Sequence, residues 1–325
     1  IGQRRSKRVN QHGKALWRLE IAQKAWPIPR ECRLHRRAQA GVKGLLFLIP
    51  AAVLLLAPTV TNADGGVPAQ RETAICGVFK EPFTFWMWHA MTPAPDQSRL
   101  AGDPLIEAVE FVTGDRRTLR DYKLKAHDAG RQSIQPKGYV LMALGNAMIA
   151  DQMVRELSAY GSRGYDAYVF DYRGYGLSEG KRRINAIIED YREIVADLNS
   201  RYQRKMLYGV SLGGMVMMNV IGSGVAFDAA VIDSSPSRMS VHGCPERIDP
   251  VRHLSARFAS RLLVITGRQD QVLPAAQTRE LRERAAVLGA RTLDGEEFAH
   301  PYMDSSYKVH LRRVQLIEDF LLRLE

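Results

Sequence analysis

Cysteine is scarce, with three in 325 residues. That is too few for a disulfide scaffold, and a chain of this length buries a core without one. Internal repeats and low-complexity tracts are missing, and 46% hydrophobic with 25% charged residues excludes a disordered or collagen-like chain. An excess of one charge is also missing from most of the sequence. The formal net charge is +11, yet residues 1–63 hold 12 Lys/Arg against 2 Asp/Glu while residues 64–325 hold 34 against 33. A groove that tracks phosphates needs clustered cations in the folded part, so nucleic acid is not an expected partner. No His, Cys, Asp and Glu group has metal-ligand spacing, and neither a metal nor another cofactor is expected.

Long apolar runs are lacking as well, with one exception. Residues 44–57 read GLLFLIPAAVLLLA, short of the ~20 residues that span a bilayer and interrupted by Pro50. With Lys43 before the run and Thr61-Asn62-Ala63 after it, the segment has the anatomy of a secretory signal peptide. Residues 1–63 are therefore expected to be a basic leader and the protein to be exported, periplasmic or secreted. The alternative is a membrane anchor through residues 44–57. Residues 1–43 contain no Met, which fits a translation start at Val42; an Arg-rich organelle presequence is the rival. Cys32 falls in the leader, leaving Cys76 and Cys244 either to pair in an oxidising compartment or to stand as two thiols.

Residues 64–104 form an aromatic-rich extension. Its densest part, Phe83-Thr84-Phe85-Trp86-Met87-Trp88, suits a cover for the core at a sheet edge, a pocket wall or membrane-interface contact, or a partner surface. From 105 to 325 the pattern becomes regular. Ile106–Phe111 and Leu119–Lys125 alternate apolar and polar residues, as half-exposed antiparallel strands do. Tyr139–Leu144, Tyr168–Phe170, Lys205–Val210, Ala229–Ile232 and Leu262–Thr266 are short continuous apolar runs, the mark of parallel strands covered on both faces. A further short strand is expected near Ala290–Leu293. Helical spacing fills the gaps at Ala150–Tyr160, Ile184–Tyr202, Leu212–Ile221, Ala275–Ala286 and Ser306–Leu324. Strands alternating with helices predict one α/β domain with a mostly parallel sheet.

The strongest chemical signal is Tyr208-Gly209-Val210-Ser211-Leu212-Gly213-Gly214. A Gly-x-Ser-x-Gly placed after a buried strand and before a helix sets the Ser on a sharp turn, clear of the backbone and beside free helix N–H groups. Such a Ser needs a base and an orienting acid. Asp270 follows the strand Leu262–Thr266, and His300 follows the strand near Ala290–Leu293. Asp233, one strand earlier, is the alternative acid, and Asp294 reads as a turn residue. His89, His127, His242, His253 and His310 lack the strand-end placement of His300. The expected oxyanion donors are the backbone N–H groups of Leu212 and of Asn146, which lies in the loop after Tyr139–Leu144. The run Gly174-Tyr175-Gly176-Leu177-Ser178-Glu179-Gly180-Lys181 fails the phosphate-loop pattern at Tyr175 and Arg182 and the dinucleotide pattern at Glu179.

Together with Asp171-Tyr172-Arg173-Gly174-Tyr175-Gly176-Leu177-Ser178-Glu179-Gly180, these motifs resemble the α/β-hydrolase superfamily, in particular serine hydrolases with a DYRGYGxSxG loop, from about residue 106 to 323. The resemblance implies the α/β-hydrolase fold: an eight-stranded sheet with helices on both faces, a short or absent lid over 233–260, and a Ser211–His300–Asp270 triad. The implied activity is hydrolysis of a carboxylic ester or thioester of a small-molecule acyl substrate. Peptidase or acyltransferase chemistry on the same triad, with Glu296 or Glu297 near a substrate amine, is the alternative, as is a non-catalytic binding protein. The family usually carries His-Gly before the oxyanion residue, where this chain has Leu144-Gly145. Met215, Met217, Met218 and Met239 read as core, with an acyl-pocket lining as the second reading. Membrane contact is expected only through the leader or the 83–88 aromatic cluster.

Overall fold

A computed structural model describes residues 68–322. The leader, its apolar run and the Val42 start lie outside the described residues. Eight strands, β1 Ile106–Val112, β2 Thr118–Leu124, β3 Gly138–Ala143, β4 Asp166–Phe170, β5 Arg204–Val210, β6 Ala229–Asp233, β7 Leu262–Gly267 and β8 Arg291–Gly295, form one sheet in the order β1-β2-β4-β3-β5-β6-β7-β8. β2 runs antiparallel to β1 and to β4, and every other pairing is parallel. The antiparallel pair needs only a hairpin, whereas each parallel pairing needs a crossover. β3, β4, β6 and β7 are buried along their whole length, which requires cover on both faces and explains why they read as unbroken apolar runs.

The principal helices are α1 Lys80–Ala90, α2 Ile184–Arg201, α3 Leu212–Gly222, α4 Ala275–Val287 and α5 Tyr307–Leu322. α2 carries the expected stripe of Ile187, Ile188, Tyr191, Ile194 and Leu198 on its buried side. α3 is buried from Leu212 through Ile221, and Met215, Met217, Met218 and Met239 all belong to the core. The stretch expected as one helix from Ala150 to Tyr160 is instead divided into Ala150–Met153, a 3-10 segment Val154–Leu157 and Ser158–Gly161. In a 3-10 turn residues three apart eclipse, so the tighter winding turns both Val154 and Leu157 into the core. The connection 234–261 holds four 3-10 turns and no α-helix, in keeping with a short lid.

Two features bind the extension to the sheet. Cys76 and Cys244 are joined in a disulfide, which fastens the segment before α1 to the connection after β6. Glu81 on α1 is buried, and its carboxylate accepts the backbone N–H groups of Ile75 and Cys76 at 2.7 Å each and of Ile184 at 2.9 Å. The aromatic cluster is thereby split: Phe85 is buried and Trp88 half-buried against the core, while Phe83 and Trp86 face outward.

The buried Arg173 guanidinium sits between Asp115 and Asp190. It donates to Asp115 Oδ2 at 2.6 Å and Oδ1 at 2.8 Å, and to Asp190 Oδ2 at 2.9 Å. A planar fork with carboxylates on two sides fixes the turn that follows β4 to the hairpin between β1 and β2 and to α2.

The disulfide spans 168 residues of sequence, a loop long enough for the cross-link to restrict the unfolded chain strongly. Its reduction, or Cys76→Ser with Cys244→Ser, is expected to lower unfolding stability by about 2–5 kcal/mol. Guanidinium titrations with and without reductant measure it: the wild-type midpoint should drop on reduction, and the double variant should be indifferent to reductant.

Candidate active site

β5 ends at Val210, and the chain turns into α3 with Ser211 at φ 52° and ψ −113°. A side-chain-bearing residue at positive φ is strained, and such strain persists where surrounding structure overdetermines it. Here the Ser211 N–H donates to the Asp233 carbonyl at 2.8 Å, and the neighbouring glycines admit close approach. A Cβ on Gly209 would fall 2.5 Å from the Gly213 carbonyl oxygen, and one on Gly213 would fall 2.1 Å from that of Ala143. The start of α3 therefore abuts the end of β3. The first-turn N–H groups of a helix have no partner within it, so the Leu212 N–H stands at the positive end of α3 beside the loop that follows β3.

That loop is held in an unexpected way. The Leu144-Gly145 departure removes a His from the usual pattern, and the Tyr172 hydroxyl takes up the anchoring by donating to the Leu144 carbonyl at 2.6 Å. The Gly145 N–H donates to Met148 Sδ at 3.1 Å, and Ala147 adopts φ 60°. Asn146 sits between them, half-buried, on a tight turn beside the α3 N-terminus.

Asp270 and His300 meet as expected. His300 Nδ1 lies 2.8 Å from Asp270 Oδ2, while Asp270 Oδ1 accepts the N–H groups of Val272 at 2.9 Å and Leu273 at 2.8 Å. Burial alone would raise the Asp270 carboxyl, but the His300 ring and these two N–H groups outweigh it and hold the group below the ordinary carboxylate value. An ionised acceptor at Nδ1 places the ring proton there and leaves Nε2 as the acceptor. Ser211, Asp270 and His300 are all nearly buried, at 8, 7 and 8% exposure.

The His300 loop leaves β8 and folds back over the end of β7. Gln269 donates its backbone N–H to the Phe298 carbonyl at 2.9 Å. A scaffold that the sequence reading missed supports this loop. Arg313 on α5 is 1% exposed and donates to the Ala299 carbonyl at 2.6 Å, with its guanidinium 4.4 Å from the Phe298 ring centroid. Asp304 accepts the Ala299 N–H at 2.9 Å and lies 3.6 Å from Arg313. Asp233 flanks the same guanidinium at 3.9 Å, and His300 is near enough to bear on its ionisation. Asp233 also supplies the carbonyl that holds the Ser211 N–H, so Arg313 stands between the histidine loop and the residue that holds Ser211. A charged residue in the apolar stripe Val309, Arg313, Ile317, Leu321 is the signal that marks Arg313 in the sequence.

The alternative residues go elsewhere. Asp233 faces Arg313 and Ser234 rather than the Nδ1 of His300. Asp294 pairs with Arg268, Arg282 and Thr266. His127 contacts the Lys125 carbonyl and His253 contacts Asn219. Glu296 and Glu297 are exposed and paired with Arg268 and Arg312. A cavity of about 390 Å³ opens beside β1 and β2, lined by Asp121, Tyr122, Asp151, Asp171 and Leu177 among others, and none of the three candidate side chains lines it. Among the described residues no group of three His, Cys, Asp or Glu side chains is disposed to hold a metal ion.

An eight-stranded, mostly parallel sheet with a strained Ser between β5 and its following helix is the arrangement of the α/β-hydrolase fold. The family described as serine aminopeptidase, S33, matches residues 134–262. The Escherichia coli (strain K12) protein YfhR, described as uncharacterized, is 25% identical over 199 residues, 55% of this chain and 69% of that protein. Among solved structures, the Pyrococcus furiosus esterase Pf2001 superposes with a TM-score of 0.53 at 17% identity, covering 71% of this chain and 96% of that one. A Mycobacterium tuberculosis puromycin-hydrolyzing peptidase gives a TM-score of 0.55 at 17% identity over 67% of this chain and 39% of that one. The likeness to the solved structures is one of fold.

Gly213→Ala tests the contact that brings α3 against β3. The added methyl meets backbone, which cannot rotate away, so stability should fall by about 1–3 kcal/mol and labelling of Ser211 by a fluorophosphonate should slow at least tenfold. Thermal melts together with labelling time courses on the folded fraction report the two effects separately.

Proposed function

We propose that the protein cleaves a carboxylic ester or thioester through an acyl-enzyme on Ser211. His300 Nε2 takes the Ser211 proton as Oγ attacks the acyl carbon, then returns it to the leaving alcohol or thiol. Water repeats the sequence: His300 accepts its proton, the hydroxide attacks the acyl carbon, and Ser211 leaves with that proton. Asp270 holds the ring with its proton on Nδ1 and stabilises the imidazolium in each half-reaction. The Leu212 and Asn146 N–H groups donate to the developing oxyanion, and no cofactor enters the cycle.

The observations that support this reading are the Asp270–His300 pair, 2.8 Å apart after β7 and β8, and the strained turn at Ser211 after β5. The ester assignment is favoured over an aminopeptidase because Glu296 and Glu297, the carboxylates available to meet a substrate amine, point outward onto arginines. The peptidase reading draws its own support from the S33 match. The disulfide between Cys76 and Cys244 supports work in an oxidising compartment, hence export to the periplasm or beyond, either free or anchored through residues 44–57.

Ser211→Ala should abolish fluorophosphonate labelling and ester turnover. Asp270→Asn should leave the fold intact and lower kcat by about 10³–10⁴. A panel of nitrophenyl esters of increasing chain length, run beside aminoacyl anilides, measures both and separates the chemistries. Turnover of the anilides alone would replace the esterase by a peptidase, and unlabelled wild type would leave a binding protein.

A further inference from the structure

α1 is apolar on both sides. Its inward side carries Glu81 and Phe85, and the disulfide at Cys76 anchors the segment just before it. Phe79, Phe83 and Trp86 on the outward side are 87, 62 and 61% exposed, and Met87 and Met91 are exposed beside them. At 100° per residue these five side chains fall within an arc of about 140°, opposite the buried one. Scattered surface apolar residues need no explanation, but a contiguous face with two phenylalanines, a tryptophan and two methionines does.

The position of this face is fixed by the anchors of α1. Glu81 holds the N–H of Ile184, the first residue of α2. Lys80 Nζ donates to the His242 carbonyl at 2.5 Å, and Cys76 is joined to Cys244. Ile184 closes the connection after β4, and His242 and Cys244 lie in the one after β6. α1 therefore lies along the same sheet edge as Ser211.

Cations fringe it. Lys181, Arg182 and Arg183 line a cavity of about 280 Å³ with Pro82 and Phe85 of α1. The Nη1 atoms of Arg182 and Arg183 donate to the backbone carbonyls of Gly174 and Arg182, not to carboxylates. Residues 64–325 are nearly neutral as a whole, so this is a local cluster beside an aromatic face.

We infer that the outward face of α1 docks on an anionic phospholipid bilayer. Phenylalanine, tryptophan and methionine enter the headgroup boundary, and the Lys181–Arg183 cluster meets lipid phosphates. A lipid surface suits this face better than a protein groove because exposed aromatic and methionine side chains share one face of a convex helix whose flank, at Pro82, meets the Lys181–Arg183 cluster. Docking of this kind turns the edge that bears Ser211 toward the lipid. The inference stands whether or not Ser211 is a nucleophile.

Flotation of the full chain with phosphatidylcholine vesicles, with and without phosphatidylglycerol, tests it. Phe83→Ser/Trp86→Ser/Met87→Ser leaves the leader and the core untouched, and circular dichroism confirms the fold. Wild type should partition onto the anionic vesicles, more weakly as salt rises, and the triple variant should bind at least about tenfold less. Brominated lipid should quench wild type more than Trp86→Phe. Equal partition of the triple variant and wild type, or indifference of wild type to vesicles, would overturn the inference. So would a wild-type dimer in solution that the triple variant dissociates, since a second copy would then cover the face.

Discussion

The structure turns on the bend at Ser211. A strand that ends buried must hand the chain to a helix within one residue, and that residue takes a positive φ. Helix, strand end and loop can then approach to backbone contact only because Gly209 and Gly213 carry no Cβ. The approach sets the position of the α3 N-terminus relative to the loop after β3. Every later element of the site is built around that point.

Two buried guanidinium groups then fix the loops that the bend requires. Arg173 ties the turn after β4 to the β1–β2 hairpin and α2, and Arg313 ties the His300 loop to α5. Each is flanked by carboxylates that burial would otherwise leave exposed to a low dielectric. The outcomes differ at the same guanidinium: Arg173 overrides burial at Asp115 and holds it at about 2, whereas burial outweighs Arg173 at Asp190 and raises it to about 6. Asp171, whose carboxylate receives the Ala150 N–H at 2.7 Å but faces no such cation, is pushed up by burial to about 6. A buried ion pair adds little net stability against an apolar substitute. What it supplies here is direction, because a planar fork fixes two loops at defined angles.

The sequence was most legible where one physical rule acts alone. Continuous apolar runs mark strands covered on both faces, and all eight lie within two residues of their expected positions. That Asp270 and His300 meet could be expected because strand-end placement is a local property, and His300 does reach Asp270 rather than Asp233. The rest depends on distant neighbours. No local pattern shows that Tyr172 takes over the anchoring of the Leu144 loop, since the two residues meet only once β3 and β4 are paired. The break between Ala150 and Gly161 follows from turning Val154 and Leu157 together onto the sheet, which helical periodicity does not encode. The pairing of Cys76 with Cys244 depends on where the extension lies, and that in turn depends on a buried Glu81 whose composition alone reads as surface.

Strain and buried charge are not spread evenly over this fold. Among the described residues, Ala147, Ser211, Ser234 and Tyr302 are four of the six side-chain-bearing residues at positive φ. They follow β3, β5, β6 and β8, all on the edge where the parallel strands end. Asp233, Asp270 and Asp304, all buried, crowd the same edge. Each such feature costs free energy, typically about 1–3 kcal/mol for a strained backbone residue, and the fully buried strands β3, β4, β6 and β7 behind them offset that cost through apolar burial. The segregation has a chemical consequence. Strained residues and buried carboxylates are gathered where loops are fastened by arginines and a disulfide. It follows that the chemistry of this edge can change by loop substitution while the sheet stays the same, so substrate preference is to be sought in the loop after β3 and the connection after β6, not in the strands.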